Sequence, residues 1–363
     1  MTQTATPTGV PVAPNVDDGK PRNFLSRLTG IQSFQILLVL IVIFLIFTIL
    51  APTIFPQWTN IRQIVQNVSI LAVLGIGMTF VIITSGIDLS VGSVLVFSGV
   101  VSAKVMVALG GQGWGTAVIG LIVAIVVGLA WGLLNGFLIA KAKVPPLIVT
   151  LGTLGAALGL AQVLTDGVDI RDVPTVLTDT IGYGNVWGTT IPLISLLALI
   201  IVIIFAVILH KTKFGLYTFA VGSNEEAARR VGVKVDRQLI SIYALSGALA
   251  GLGGLLSLSQ YGTTAIAGQS QTNLNVIAAV VIGGTSIFGG VGTIFGTMVG
   301  LFIPAVLQNG FVIIGVQPFW QQVAVGAVLV AAVYIDQRRR ASAARGAGSK
   351  SKVSLSSLWS KKK

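Results

Sequence analysis

Two short runs in this chain combine residue types that could do chemistry. The first is Gly222-Ser-Asn-Glu-Glu-Ala-Ala-Arg-Arg-Val-Gly232, where Glu225, Glu226, Arg229 and Arg230 stand together. From Gln238 to Ile335 no residue carries a formal charge, so the run is an island. Opposite charges four apart on a helix-favouring stretch suit docking against a polar surface; they also describe a plain amphipathic surface helix. The second run is Ser85-Gly-Ile-Asp-Leu-Ser-Val-Gly-Ser93. Asp88 stands there among three hydroxyls, flanked by Gly86 and Gly92, between two apolar stretches. Asp or Ser before an apolar run can accept the free N–H groups of a helix start. A carboxylate near membrane depth is otherwise a candidate for a translocation path. A third set is uncharged: Asn135, Thr150, Thr153, Gln162, Gln260, Asn273, Asn275, Gln308 and Asn309 lie within apolar stretches. Amides and hydroxyls can bind a polyol weakly enough to release it, or join helices to one another.

The same inventory excludes much. There is no cysteine, so no disulfide, thiolate metal site or Cys redox centre is available. His210, the single histidine, stands beside Lys211 at an expected helix end. No His-x-x-x-His and no carboxylate pair points to a metal. Gly346–Ser351 has the wrong spacing for a phosphate-binding loop and follows no strand. No catalytic constellation is present, no cofactor is expected, and this chain is read as no enzyme. A net charge of +12 does not point to nucleic acid, because nine of the positive residues fall in the tail after Asp336 and the rest sit mainly in short loops.

These residues must be held by membrane helices. Of 363 residues 54% are hydrophobic and 9% charged, against roughly 25% charged in a soluble domain. About 20 apolar residues cross the hydrocarbon core. That criterion predicts an all-α polytopic membrane protein with about ten spans: Phe34–Phe55, Ile64–Thr84, Val91–Leu109, Thr116–Ala140, Pro145–Leu164, Ile191–Leu209, Leu239–Gln260, Asn273–Phe288, Val291–Gly310 and Pro318–Tyr334. The fifth opens on Pro145-Pro146 and the eighth is interrupted by Gly283-Gly284, so some spans are expected to be broken or partial. Residues 1–30 read as a disordered cytoplasmic leader, 31–336 as the permeating domain with a cytoplasmic loop over 210–238, and 337–363 as a basic cytoplasmic tail suited to solvent or anionic lipid. With both termini inside, all basic residues except Arg62, Lys104 and Arg171 fall on the cytoplasmic side, as the positive-inside rule requires. Lys104, within a span, is expected to face Asp88 or to snorkel. The segment Ile87–Ser93 has a faint echo in Ile287-Phe-Gly289-Gly290-Val-Gly-Thr293, six spans later, which would make a repeat parallel.

Glu226-Ala227-Ala228, three residues, then Gly232 resembles the Glu-Ala-Ala…Gly loop of bacterial ATP-binding-cassette import permeases. The Gly86–Ser93 run resembles the signature of the ribose/xylose/galactoside importers within them. Val144–Leu154, Gly215–Gly232, Ala278–Gly296 and Asn309-Gly310 fit the same family, so the resemblance covers about 60–335. Ser85, where glycine is expected, and the long Lys-rich tail depart from its pattern.

The resemblance implies a multi-pass permease of the bacterial inner (plasma) membrane that works as a dimer with a second permease copy. It implies an extracytoplasmic sugar-binding protein and a separate ATPase subunit that binds the ATP. Ser223, Asn224, Glu225, Glu226, Ala227, Ala228, Arg229 and Gly232 would form the coupling helix. Ser223 and Glu226 are expected to form its capping box and Gly232 to end it. The small Ala227 and Ala228 would seat it while Glu225 and Arg229 take rim contacts. Gly86, Asp88, Ser90, Gly92, Ser93, Gly283, Gly284, Gly289 and Gly290 would form the helix breaks of the path. Asn135, Thr150, Thr153, Gln260 and Asn273 are candidates for the substrate path. A related importer of branched-chain amino acids or nucleosides is the alternative, and an ion-coupled carrier using Asp88 a more distant one.

Overall fold

A computed structural model describes residues 32–267 and 272–317, together with residues 320, 323, 326, 327, 330 and 334. The leader, the basic tail and most of the expected tenth span lie outside the described residues. Helices occupy α1 (Gln32–Leu50), α2 (Trp58–Ile83), α3 (Val91–Leu109), α4 (Trp114–Ala140), α5 (Pro146–Thr165), α6 (Leu193–Lys211), α7 (Lys213–Ser223), α8 (Glu225–Arg230), α9 (Val235–Tyr261), α10 (Thr272–Ile282) and α11 (Ile294–Ile313). Among the described residues seven are long and apolar enough to cross a membrane: α2, α3, α4, α5, α6, α9 and α11.

The expected eighth span is broken where its Gly283-Gly284 interruption stands. Its helical part, α10, is 11 residues long, about 16 Å at 1.5 Å per residue, too short for a hydrocarbon core of about 30 Å. Gly284, at φ 93°, takes the chain out of the helix. α2 begins six residues before its expected start. The polar residues of its first turns are satisfied: Asn60 Nδ2 donates to the nearby Phe55 carbonyl at 2.9 Å and Gln66 Nε2 to the distant Gly182 carbonyl at 3.1 Å.

Packing sorts the helices by composition. α2 is buried almost continuously from Val68 to Ile83 and forms the centre, with α3 and α9 around it. Of the seven long helices the most apolar, α6, is the least buried and turns Leu199, Ile203 and Val207 outward. In lipid this is the expected order, because exposing leucine or isoleucine to acyl chains costs nothing and polar contacts are kept between helices. The largest interface joins α4 to α9. It depends on small residues: a Cβ at Gly247 would collide with the Gly128 carbonyl oxygen, so the two backbones meet directly.

Candidate functional site

At one end of the bundle the charged island folds as a capped helical turn. Asn224 is extended and its Oδ1 accepts the Ala227 N–H at 2.9 Å, so Asn224 is the N-cap. The Ser223–Glu226 capping box does not form, because α7 runs on through Ser223 and leaves it no free N–H to serve. Two backbone bonds close the other end: Gly232 N–H to the Arg229 carbonyl and Val233 N–H to the Ala228 carbonyl, both 3.0 Å. That is the Schellman arrangement, and Gly232 supplies its left-handed residue at φ 89°.

Glu225 pairs with Arg229 at 2.9 Å and Glu226 pairs with Arg230, each one helical turn apart. Arg229 reaches further, to Asp236, which Lys141 and Lys143 also approach at 3.2 and 3.3 Å. Asp236 thus ties α8 and the start of α9 to the α4–α5 connection. Ala228 does not lie on the outer face. It is buried with Val221 and Val235, because its position in the turn points back at the bundle. Ala227 stays outside beside Val231, which is 79% exposed. Val231 and Asp236 were missed in the sequence. For Asp236 a signal existed: it is the last acidic residue before the charge-free stretch and stands between Lys234 and Arg237.

The two broken segments meet beside this loop. Gly290 N–H donates to the Ile83 carbonyl at 2.8 Å, and Ser85 Oγ donates to the Phe288 carbonyl at 2.9 Å. Gly222 packs so closely on the Ile83 carbonyl that any Cβ there would collide with it. The end of α2, the turn after α10 and the end of α7 are therefore in backbone contact. Gly289 and Gly290, at φ 81° and 73°, make the turn that allows this. Gly283 packs against the backbone of Gly296.

Asp88 is buried just inside this junction. Its Oδ1 accepts the N–H of Ser90 at 2.9 Å and the hydroxyl of Ser90 at 2.6 Å, and its Oδ2 accepts the hydroxyl of Ser246 at 3.0 Å. Burial pushes its carboxyl above the usual carboxylate range, and the hydrogen bonds from Ser90 and Ser246 oppose that rise. Asn135 Nδ2 donates to Ser90 Oγ at 2.9 Å, and the N–H of Gly92 is taken by Asn273 Oδ1. Ser93 is buried in the first turn of α3. Thr150 donates to the Ile87 carbonyl at 3.1 Å and Thr153 to the Val149 carbonyl at 3.1 Å. Asn135, Thr150 and Asn273 thus hold the Asp88 turn against α4, α5 and α10. Gln260 lies elsewhere, bonded to Asn67 at 2.7 Å. Lys104 does not face Asp88: its ammonium donates to the Leu164 carbonyl near the end of α5, where a helix has free carbonyl groups. Among the described residues no group of three or more metal-ligating side chains converges.

A family model described as "Branched-chain amino acid transport system / permease component" matches residues 60–333. The chain belongs to this family of bacterial import permeases. It is 38% identical over 296 residues to the ribose import permease protein of Bacillus subtilis, covering 81% of this chain and 89% of that one. Identity to the ribose import permease protein of Escherichia coli K12 is 34%, over 80% of this chain and 89% of the other. Identity to the galactose/methyl galactoside import permease protein of Salmonella typhimurium is 34%, over 88% of this chain and 98% of the other. No solved structure matches. The chain is a multi-pass protein of the bacterial inner membrane and a transport component rather than an enzyme.

Proposed function

We propose that this chain is the membrane-spanning subunit of an ATP-driven monosaccharide importer. It would form the translocation path, with both termini cytoplasmic and about ten spans in all, and act as a pair with a second copy. The observation that carries the coupling role is the capped helix Glu225–Arg230, presented outward yet tied by Gly222, Gly290 and Asp236 to the breaks after α2 and α10 and to the α4–α5 connection. A cytoplasmic ATPase subunit seated on Glu226, Ala227 and Val231 would move that junction as a rigid body. An extracytoplasmic binding protein would deliver the sugar. The monosaccharide reading rests on the ribose and galactoside relatives.

A second reading follows from the family description, which names branched-chain amino acid transport. Competition for uptake among D-ribose, D-xylose, D-galactose and L-leucine separates the two. Ion-coupled transport through Asp88 finds less support, because that carboxylate is engaged by Ser90 and Ser246. The coupling role is tested by purifying the chain with its bound partners in mild detergent, wild type beside Glu226→Lys. The ATPase is expected with wild type and lost with the variant. An ATPase retained equally by both would end the assignment of this helix.

A further inference from the structure

At the opposite end of α2 from the coupling loop, α2 and α11 part around a cavity of about 490 Å³. Six carboxamides line it: Gln57, Asn60, Gln63 and Asn67 at and before the first turns of α2, and Gln308 and Asn309 on α11. None of the lining residues is charged. So many amides at one place in so apolar a chain require a cause. Helix joining accounts for part of the set. Asn309 Nδ2 donates to Asn60 Oδ1 at 2.8 Å, Asn60 Nδ2 to the Phe55 carbonyl at 2.9 Å, and Gln57 to the Thr53 carbonyl.

Helix joining does not account for the rest. Gln63 and Gln308 line the cavity and make no hydrogen bond among the described residues. The carbonyl oxygen of Asn309 is buried without a donor, and Asn67 is held from behind the wall by Gln260 Nε2. The wall therefore offers unpaired donors and acceptors with no charge.

A carboxamide both donates and accepts, and so does a hydroxyl. A zwitterionic amino acid would instead need a fixed countercharge for each end. The charge next to this wall, Arg62, is turned away and donates to the Tyr183 carbonyl at 3.0 Å. The cavity volume lies in the range of small-molecule sites, about 300–1,000 Å³. Asn67 is about 24 Å along α2 from the Ile83 junction, so a single helix connects a solute here to the coupling loop. We infer that this cavity is the vestibule that receives a neutral polyhydroxylated solute, a monosaccharide, through Gln63, Asn67 and Gln308. The inference rests on the importer reading above and adds the groups that meet the sugar and the end at which it enters.

The chain has no cysteine, so Gln63→Cys and Gln308→Cys are clean single reporters. Each is labelled with a membrane-impermeant maleimide in intact cells that lack the binding protein, with excess D-ribose, D-xylose, D-galactose or L-leucine present. A sugar that the wild type transports should slow labelling at both positions severalfold, and L-leucine should not. In the complete transporter, Asn67→Leu and Gln308→Leu should raise the half-saturating sugar concentration about three- to tenfold, the worth of one neutral hydrogen bond. If the wild type transports a sugar but that sugar protects neither cysteine, or neither cysteine labels from outside, the vestibule is wrong and the importer reading stands. Protection with unchanged half-saturation in both leucine variants removes Asn67 and Gln308 as the binding groups and overturns the assignment. A wild type that transports L-leucine and none of the three sugars overturns both readings.

Discussion

Asp88 and Asp236 are both carboxylates near the same junction, yet their surroundings give them different work. Asp88 is buried and serves three neutral donors, two on Ser90 and one on Ser246. An amide can replace it: the remaining oxygen still accepts from Ser90, and the Ser246 hydroxyl can turn to accept from the new N–H₂ group. Asp88→Asn should therefore keep sugar uptake within about threefold of wild type, because neutral hydrogen bonds are exchanged for others of about 1 kcal/mol. Asp88→Leu leaves the Ser90 N–H and hydroxyl unserved in the interior, and should reduce the amount of folded protein recovered from membranes. Loss of uptake in Asp88→Asn at normal folded yield would instead point to a charge requirement and revive ion coupling. Asp236 is different, since its cationic partners are 40–60% exposed. Each such pair is worth at most about 1 kcal/mol, so Asp236→Asn should leave folding intact. What it loses is the tie between α8 and the α4–α5 connection. ATP hydrolysis by the assembled transporter should persist while sugar carried per ATP falls severalfold. An unchanged ratio would show that the tie transmits nothing.

At the level of elements, α8 is six residues long, far below the length at which a helix holds together alone. Its ends must hold it. Asn224→Ala removes the N-cap, at a cost of about 1 kcal/mol. Gly232→Val forces a β-branched residue to φ 89°, at a cost of about 1–2 kcal/mol. No side chain crowds Gly232, so the second cost is purely conformational. Both variants should be cut faster by protease within 223–233 in inverted membrane vesicles, with the other loops unaffected. Equal cutting in wild type and variants would mean that the turn is held by its docking on Val221 and Val235 rather than by its caps. The same helix shows what was legible beforehand. Its existence, its charge pairs and its glycine stop follow from local chemistry, and each is visible in the residues 222–232. The cap lies one residue later than the sequence suggests because α7 continues through Ser223 with Gly222 packed against the Ile83 carbonyl, a contact between residues about 140 apart in sequence. Long apolar stretches such as α3 and α6 were placed to within two residues. α10 ends at Ile282, just before the Gly283-Gly284 interruption that the sequence displays; only its failure to resume as a helix through Phe288 was not legible. The amide cavity was visible only as separate polar residues, since Asn67 and Gln308 become neighbours only when α2 meets α11.

The whole molecule has two chemically distinct ends. One gathers Lys141, Lys143, Arg229, Arg230 and Asp236 around the coupling loop, and the other holds the uncharged amides of the cavity. Within the bundle the backbones of α4 and α9 meet directly, from Gly128 against Gly247 to Gly136 against Ile240. Gly247→Leu would push these backbones apart, an overpacking cost of about 1–3 kcal/mol or more, and should lower the melting temperature of the detergent-solubilised protein by several degrees. The orientation of the two ends decides whether the importer reading is physically possible, because an ATPase can act only where ATP is. Three basic residues, Arg62, Lys104 and Arg171, fall off the cytoplasmic side in the proposed arrangement. Arg62 and Lys104 are each held by a backbone carbonyl, and such held charges weigh little against the Lys- and Arg-rich loops and tail. Trp187, fully exposed in the loop before α6, and Ala227, exposed on α8, then lie on opposite sides. In this cysteine-free chain, Trp187→Cys should react with an impermeant maleimide in intact cells, and Ala227→Cys only after the membrane is opened. The reverse pattern would put α8 outside the cell, beyond reach of ATP, and the positive charge of the loops would then need a cause other than cytoplasmic retention.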